Sequence, residues 1–369
     1  MNDTPLRYRL AFSMLKNINA SLASQLLAKL GSEESFFTMS ASELASLCRL
    51  DAELCHDFYR RELLERAKAE ERFVMSHDID TMYFDGEYYP TRLANCSDAP
   101  AMLYMLGQTN LEAAHIVSIV GTRHATPHGI ETTNRIVGEL AQKIDDLVIV
   151  SGLAYGIDIA AHKAAIANNI PTIAVMANPL NTIYPSEHRG VAVQMLRNGG
   201  ALISEYSTSD AIYRLNFLAR NRIVAGLSDA TIVVESDIKG GSLFTANVAA
   251  RYNREVFAVP GRITDKYSRG AIGLIASNKA HIFSTTDNFI EEMGWDSVSA
   301  VPEPALPLEI NLTQNEQRVY DYLVTHPGSR VSEIMLNTNI PSATLKDLLF
   351  EMEMKDLIMS MAGGLYSAL

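Results

Sequence analysis

Along the first 80 residues apolar positions recur at helical spacing in "RYRLAFSMLKN", "SLASQLLAKL", "SASELASLC" and "LDAELCHDFYRRELLERAKAEERF". Ser or Asp stands ready to cap several starts, so residues 1–80 predict a small helical domain. From about residue 110 the pattern changes to short apolar runs, "IVSIV", "LVIV", "TIAVM", "ALIS", "TIVVE" and "VFAV", separated by amphipathic stretches beginning near Pro127, Ile157, Glu187, Leu215 and Ser242. That alternation predicts right-handed βαβ units in an α/β domain over 81–298, a mostly parallel sheet with helices on both faces. Ligands of such sheets lie beyond the carboxyl ends of the strands. "VPEPALPL" places three prolines in eight positions, which marks residues 299–308 as a semi-rigid linker. Over 309–369, one helix, a helix-turn-helix pair and the hairpin "LIMSMAGGLYSAL" predict a winged helix.

Composition narrows the class. Of 369 residues 47% are hydrophobic and 20% charged, as in globular chains with ample apolar surface to bury. Cys48, Cys55 and Cys96 form no CxxC pair and lack a histidine at zinc-ligand spacing, so no metal or other cofactor is expected and the thiols fit a reducing compartment. No basic leader and no run of about 18 apolar residues is present, which predicts a cytoplasmic protein without membrane contact. The net charge of −12 argues against a polyanionic partner until its distribution is considered. Between residues 211 and 280 ten Lys and Arg face five Asp and Glu, and binding depends on the local field, screened within about 10 Å by salt.

Four strand ends lead into turns rich in Gly, Ser, Thr or Arg: "GTRHATPHG" from Gly121, "SGLAYGID" from Ser151, "RNRIVAG" from Arg220 and "KGGSLFTA" from Lys239. Glycines admit close approach to backbone N–H groups, and each following helix points the positive end of its dipole at the same place. Any one of these could be a plain βα connection; converging, they form a basic, amide-lined trough. Arg123, Arg220 and Arg222 are its first candidates, each beside a turn. Neither GxxxxGK[ST] nor GxGxxG occurs, so no machinery for ATP hydrolysis is visible. Asp158 and His162 stand four apart on one helical face, where bracing of the turn is favoured over general acid/base work because no nucleophile beyond Ser151 lies nearby. Tyr155 is the aromatic candidate for base stacking. Trp295 and Phe289 are expected to close the central domain, and Tyr88, Tyr89 and Tyr104 to pack its connection to the helices.

In order, "YPTRL", "DAPAMLYMLG", "VSIVGTRHATPHG", "SGLAYGIDIAAHKAAI", "IYPSEHR", "GGALISEY", "FLARNRIVAGLSDATIVVES", "GGSLFTANVAA" and "VFAVPG" resemble the DprA/Smf family, bacterial DNA-processing protein A. The resemblance runs from Tyr89 to about Ala280. It implies an extended Rossmann fold that binds single-stranded DNA, loads RecA onto it and acts in natural transformation, without being an enzyme. Carried onto this chain, the family's phosphate pocket falls on Gly121, Thr122, Arg123, Ser151, Gly152, Arg189, Asn221, Arg222, Gly241 and Ser242; the trough adds Arg220 and Lys239. Tyr155 stands where the family has arginine. The resemblance further implies a homodimer joined near the end of this domain, with which the apolar run Ala271–Ala276 is compatible, and SAM-like N-terminal helices.

Two rival readings predict different chemistry. A nucleotide-processing enzyme of the lysine-decarboxylase-like phosphoribohydrolase type would need a "PGGxGT" turn, which appears here only as "KGGSLFTA". A duplex-binding regulator would use the winged helix, whose second helix carries Asp347, Glu351, Glu353 and Asp356 against Lys346 and Lys355. Such a face is repelled by the major groove, so a protein-contact or regulatory role is expected.

Overall fold

The computed structural model describes residues 4–295, 312–355, 357–361 and 365–368; the expected proline-rich linker and Asp356 lie outside them. The chain divides into two compact units, Met1–Asp296 and Ser297–Leu369.

The sheet of the first unit comprises β1 (Asp80–Tyr83), β2 (Met102–Gly107), β3 (His115–Val120), β4 (Leu147–Ser151), β5 (Thr172–Val175), β6 (Ala201–Ser204), β7 (Ala230–Val233), β8 (Glu255–Ala258) and β9 (His281–Ile282). Their spatial order is β1-β2-β6-β5-β4-β3-β7-β8-β9. All neighbours from β6 to β9 are parallel. β2 adds antiparallel to β6, and β1 antiparallel to β2. The apolar runs are strands because both faces are covered: all residues of β4, β5, β6 and β7 are buried, which leaves no room for polar alternation. From β3 the chain builds outward through β4, β5 and β6, then returns to place β7 on the other side of β3. The β3/β7 boundary is thus the topological switch point, where a crevice opens beyond the strand ends.

Six helices precede the sheet, from Leu6–Ser13 to Asp57–Ser76. Asn19 and Ser32 cap two of them, and Ser40 with Glu43 forms a capping box on a third, as the helical pattern requires. Their apolar faces meet in a core of Leu10, Phe12, Phe36, Leu44 and Leu63 that continues into Tyr104, Ala174, Met176 and Leu202 of the sheet. The last helix also holds the segment after β6: Arg66 pairs with Asp210 at 2.9 Å, and the Glu70 carboxylate accepts from the Thr208 N–H at 2.7 Å. Farther along the same face Phe289, 1% exposed, meets Trp295 edge-on at 5.5 Å, the closure expected of them. Tyr89 and Tyr104 are buried, whereas Tyr88 is 80% exposed and does not pack the connection as expected.

The second unit is a winged helix. Helices Gln314–Thr325, Val331–Thr338 and Ser342–Met354 pack Val319, Leu323, Ile334, Leu345 and Leu349 against a small sheet of Ser329–Arg330, Ile358–Met361 and Leu365–Ala368. Lys355 pairs with Glu316 at 2.6 Å. This takes one cation out of the acidic balance around the second helix of the pair.

Candidate nucleic-acid interface

Three strand-end turns are stitched together at the switch point. The Thr122 N–H donates to Glu235 O at 2.7 Å, and Thr122 O accepts from the Ile157 N–H at 3.2 Å. A Cβ on Gly121 would collide with the Ile157 side chain and with Glu235 O, and one on Gly156, at φ +80°, with Thr122 O. Glycine is therefore what lets the turns after β3, β4 and β7 touch. The buried Glu235 carboxylate accepts from the Thr126 N–H at 3.0 Å and the Thr126 hydroxyl at 2.5 Å, fixing the start of helix Pro127–Lys143.

The same stitching sorts the expected site residues into two layers. On the surface are Arg123, Arg189, Lys239 and Gly241, with Gly121 and Thr122 half-buried beside them. Among the described residues, Arg123, Arg189 and Lys239 make no ion pair. The Arg123 guanidinium carbon lies 5.5 Å from the centre of the Phe217 ring, a cation–π contact. A Cβ on Gly241 would meet nothing within 4 Å, so its backbone faces open space at the first turn of helix Gly241–Arg251. That helix and Ile157–Ala167 have glycine N-caps, Gly240 and Gly156, without side-chain capping bonds. The Ile157 N–H is already taken by Thr122 O, so it is the first N–H groups of Gly241–Arg251 that are the kind anions satisfy.

Beneath lie Ser151, Gly152, Arg220 and Ser242, buried, and Arg222, half-buried, with their polar groups engaged inside the protein. The Ser151 hydroxyl donates to Ile119 O at 2.6 Å, and that of Ser242 to Ser236 Oγ at 2.8 Å. Arg220 is 3% exposed and donates to Gly152 O at 2.7 Å and to Val175 O. Its guanidinium occupies the place a side chain on Gly152 would take. Arg222 is paired with Glu205, both largely buried. For Ser151 and Arg220 the reason is that βα turns carry backbone carbonyls that need donors once buried, and these two side chains supply them. Asn221 stands between the layers, accepting from Arg220 Nε at 3.1 Å and reaching Gly241 O at 3.5 Å.

Asp158 and His162 brace the turn separately and do not bond each other. Asp158 Oδ2 accepts from the Gly152 N–H at 3.2 Å. His162 Nε2 accepts from the Leu153 N–H at 3.3 Å while Nδ1 meets Thr172 Oγ1 at 2.7 Å. Since that hydroxyl donates to Ile149 O, the imidazole is the neutral tautomer protonated at Nδ1. Burial raises the Asp158 carboxyl, with Arg220 as the main opposing charge. Burial, then Arg220 nearby, pushes His162 down to about 3. Unfolding thus lets His162 take up a proton below about pH 6.5 that the native state refuses, so its contribution is complete above that pH and lost as pH falls toward 3. Between pH 6.5 and 5, urea melts should show the wild type losing about 2 kcal/mol more than His162→Gln; parallel losses would contradict the neutral buried imidazole.

Sequence reasoning singled out Tyr155 but missed the rest of the aromatic rim. Tyr184 and Phe217 meet edge-on at 5.2 Å, and Tyr155 meets His188 at 4.9 Å. Tyr155 and Tyr184 are both about half exposed. The signal was available in "YRLNFLARNR", where Arg214 and Phe217 interleave cation and ring three residues apart, the composition of a stacking surface.

Comparison with known proteins agrees with this fold. Residues 306–366 match the model of the sugar-specific transcriptional regulator TrmB. Escherichia coli Protein Smf is 40% identical over 191 residues, 52% of this chain and 50% of that protein, so the chain spans about half the length of that relative. Bacillus subtilis DNA processing protein DprA is 40% identical over 214 residues, 58% of this chain and 71% of that one. The X-ray structure of DNA processing protein A from Streptococcus pneumoniae superposes with TM-score 0.61 at 29% identity, covering 77% of this chain and 96% of that one. DNA processing protein A from Helicobacter pylori, whose structure concerns its single-stranded DNA binding mode, superposes with TM-score 0.53 at 33% identity, covering 59% and 96%. Residues 80–294 match the family model of DNA recombination-mediator protein A, and with these identities the chain belongs to that family.

Proposed function

We propose that the chain is a non-enzymatic recombination mediator that grips single-stranded DNA by its phosphates along the switch-point trough and delivers it to RecA as a homodimer. The observation that carries the reading is the set of exposed cations, Arg123, Arg189 and Lys239, which make no ion pair among the described residues, together with the uncapped start of helix Gly241–Arg251. Phosphates bind there, while Tyr155, Tyr184 and Phe217 stack bases without regard to sequence. The binding of single-stranded DNA by the Helicobacter pylori relative supports the same choice. Delivery to RecA and dimerisation follow from kinship. In the run Ala271–Ala276, Ala271, Leu274 and Ile275 pack in the chain's own core while Ile272 is only half-buried, and Ile272 is what a second protomer would meet. Asp158, the acid weighed for general acid/base work, is committed to the Gly152 amide, which favours a binding protein over a nucleotide-processing enzyme.

The test is a titration with labelled oligo(dT) at several salt concentrations. Each phosphate contact on a single strand contributes about 0.7 to the slope of log affinity against log salt. Arg123→Ala and Lys239→Ala should each weaken binding to all sequences alike and reduce the slope by about that amount. Unchanged slopes in both would remove these side chains from the phosphate track.

A further inference from the structure

The far edge of the sheet, away from the trough, is built to receive one more strand. β1 is the terminal strand and pairs only with β2. The Phe84 N–H donates to Ala101 O, and the register continues through Met82 opposite Leu103 and Asp80 opposite Met105. Antiparallel pairing alternates, so Asp80, Met82 and Phe84 bond inward to β2 while the backbone groups of Thr81 and Tyr83 point outward. Tyr83 O is taken by the Gly86 N–H at 2.8 Å. Among the described residues, Thr81 N–H and C=O and Tyr83 N–H have no such partner, in a family of positions that proteins ordinarily cover or blunt.

A cavity lies on each side of this edge. The first, about 480 Å³, is bordered by Leu6, Leu27, Glu33, Tyr83, Asp85 and Met102. Its sheet residues Tyr83 and Met102 belong to the core shared with the N-terminal helices. The second, about 470 Å³, is bordered by Asp80, Met105, Leu111 and Glu112, and Met82, Met105 and Leu111 belong to the core on the opposite face. Thr81, Glu87 and Tyr88 line both. Successive side chains of an added strand point to opposite faces, so they would enter the two cavities in turn, the arrangement by which sheet edges read extended peptides.

The charge around the edge specifies the occupant. Among the described lining residues, Glu33, Asp80, Asp85, Glu87 and Glu112 stand against one cation, Arg9, which lies 3.9 Å from Glu33. Among the described residues, the Tyr83 hydroxyl, buried beside Glu33, has no hydrogen-bond partner of good geometry. Tyr88, 80% exposed between the cavities, presents a ring face suited to a guanidinium or ammonium group. We propose that the β1 edge docks an extended, basic peptide segment of a partner protein, which adds as a tenth strand to the described sheet and places Arg or Lys side chains among these carboxylates. The surface is distinct from the trough: one attracts cations, the other phosphates.

The test uses the full-length protein and a labelled, end-blocked hexapeptide alternating arginine and valine, followed by fluorescence anisotropy at physiological ionic strength. Binding should saturate. It should weaken at least tenfold when the peptide's central amides are N-methylated, which removes the strand-pairing donors and leaves charge intact. The exposed double variant D85K/E87K should weaken it at least tenfold, with oligo(dT) binding retained as the check on folding, and Arg123→Ala should leave it unchanged. Absence of saturable binding would overturn the proposal, as would equal affinity for the N-methylated peptide or indifference to D85K/E87K. An oligomer that dissociates on D85K/E87K while the peptide fails to bind would assign the edge to a second copy of the chain and equally overturn it.

Discussion

Arg220→Met should cost about 3–5 kcal/mol of folding stability, far more than it costs in direct contact with DNA. Methionine keeps much of the length of the side chain but none of its donors. Two carbonyls, Gly152 O and Val175 O, then lose the guanidinium that satisfies them, and each buried acceptor left unpaired costs about 1–3 kcal/mol. Asp158 loses its principal counter-charge while staying buried. Arg220 itself is held down to about 10 by burial, against the pull of Asp158, so it is cationic at neutral pH and the loss is that of a charge. Urea unfolding should show a lower midpoint at an unchanged slope. If the midpoint stays within about 1 kcal/mol of wild type and affinity for oligo(dT) collapses, the guanidinium contacts DNA and its placement as an internal brace is wrong.

Gly156→Ala should be nearly as damaging and should remove DNA binding along with stability. Gly156 has φ +80° and ψ −122°, a conformation that L side chains avoid. The new methyl would also be driven into Thr122 O and the backbone of Arg123, neither of which is the flexible end of a side chain. Strain and clash together should amount to about 3 kcal/mol. Relief requires the turns after β3 and β4 to separate, which breaks the bond from Ile157 N to Thr122 O and displaces Arg123. Oligo(dT) affinity should therefore fall at least as far as in Arg123→Ala, at a temperature where circular dichroism still reports a folded protein. A folded Gly156→Ala protein with wild-type affinity would show that the turns need not touch to bind.

The parallel strands were legible because burial on both faces leaves an unbroken apolar signature, as in "LVIV" and "TIVVE". The switch point followed from their order only once the pairing was known, since β3 meets β7 across more than a hundred residues. β1 and β2 escaped for a related reason: "DTMY" is too short to show a period, and "MLYMLG" fits a strand or a buried helix equally until β6 supplies its partner. At the site, the turns were readable from their glycines but the inward or outward sense of each cation was not. Arg220 and Arg222 are as basic in sequence as Arg123; their partners Gly152, Val175 and Glu205 lie 68, 45 and 17 residues away. Phe217 went unassigned because a ring in a helical stretch reads first as core.

The helices that precede the sheet are more than an appended module. Ala174, Met176 and Leu202 share their core with the apolar sides of those helices as well as with Ala192 and Met195 of helix Arg189–Arg197, and Arg66 and Glu70 tether the loop that leads to the aromatic rim. A descendant chain is therefore free to rewrite the identity of its leading segment but not its oiliness: whatever replaces it inherits the duty of a lid, and with that lid the posture of a DNA-facing loop on the neighbouring strand end.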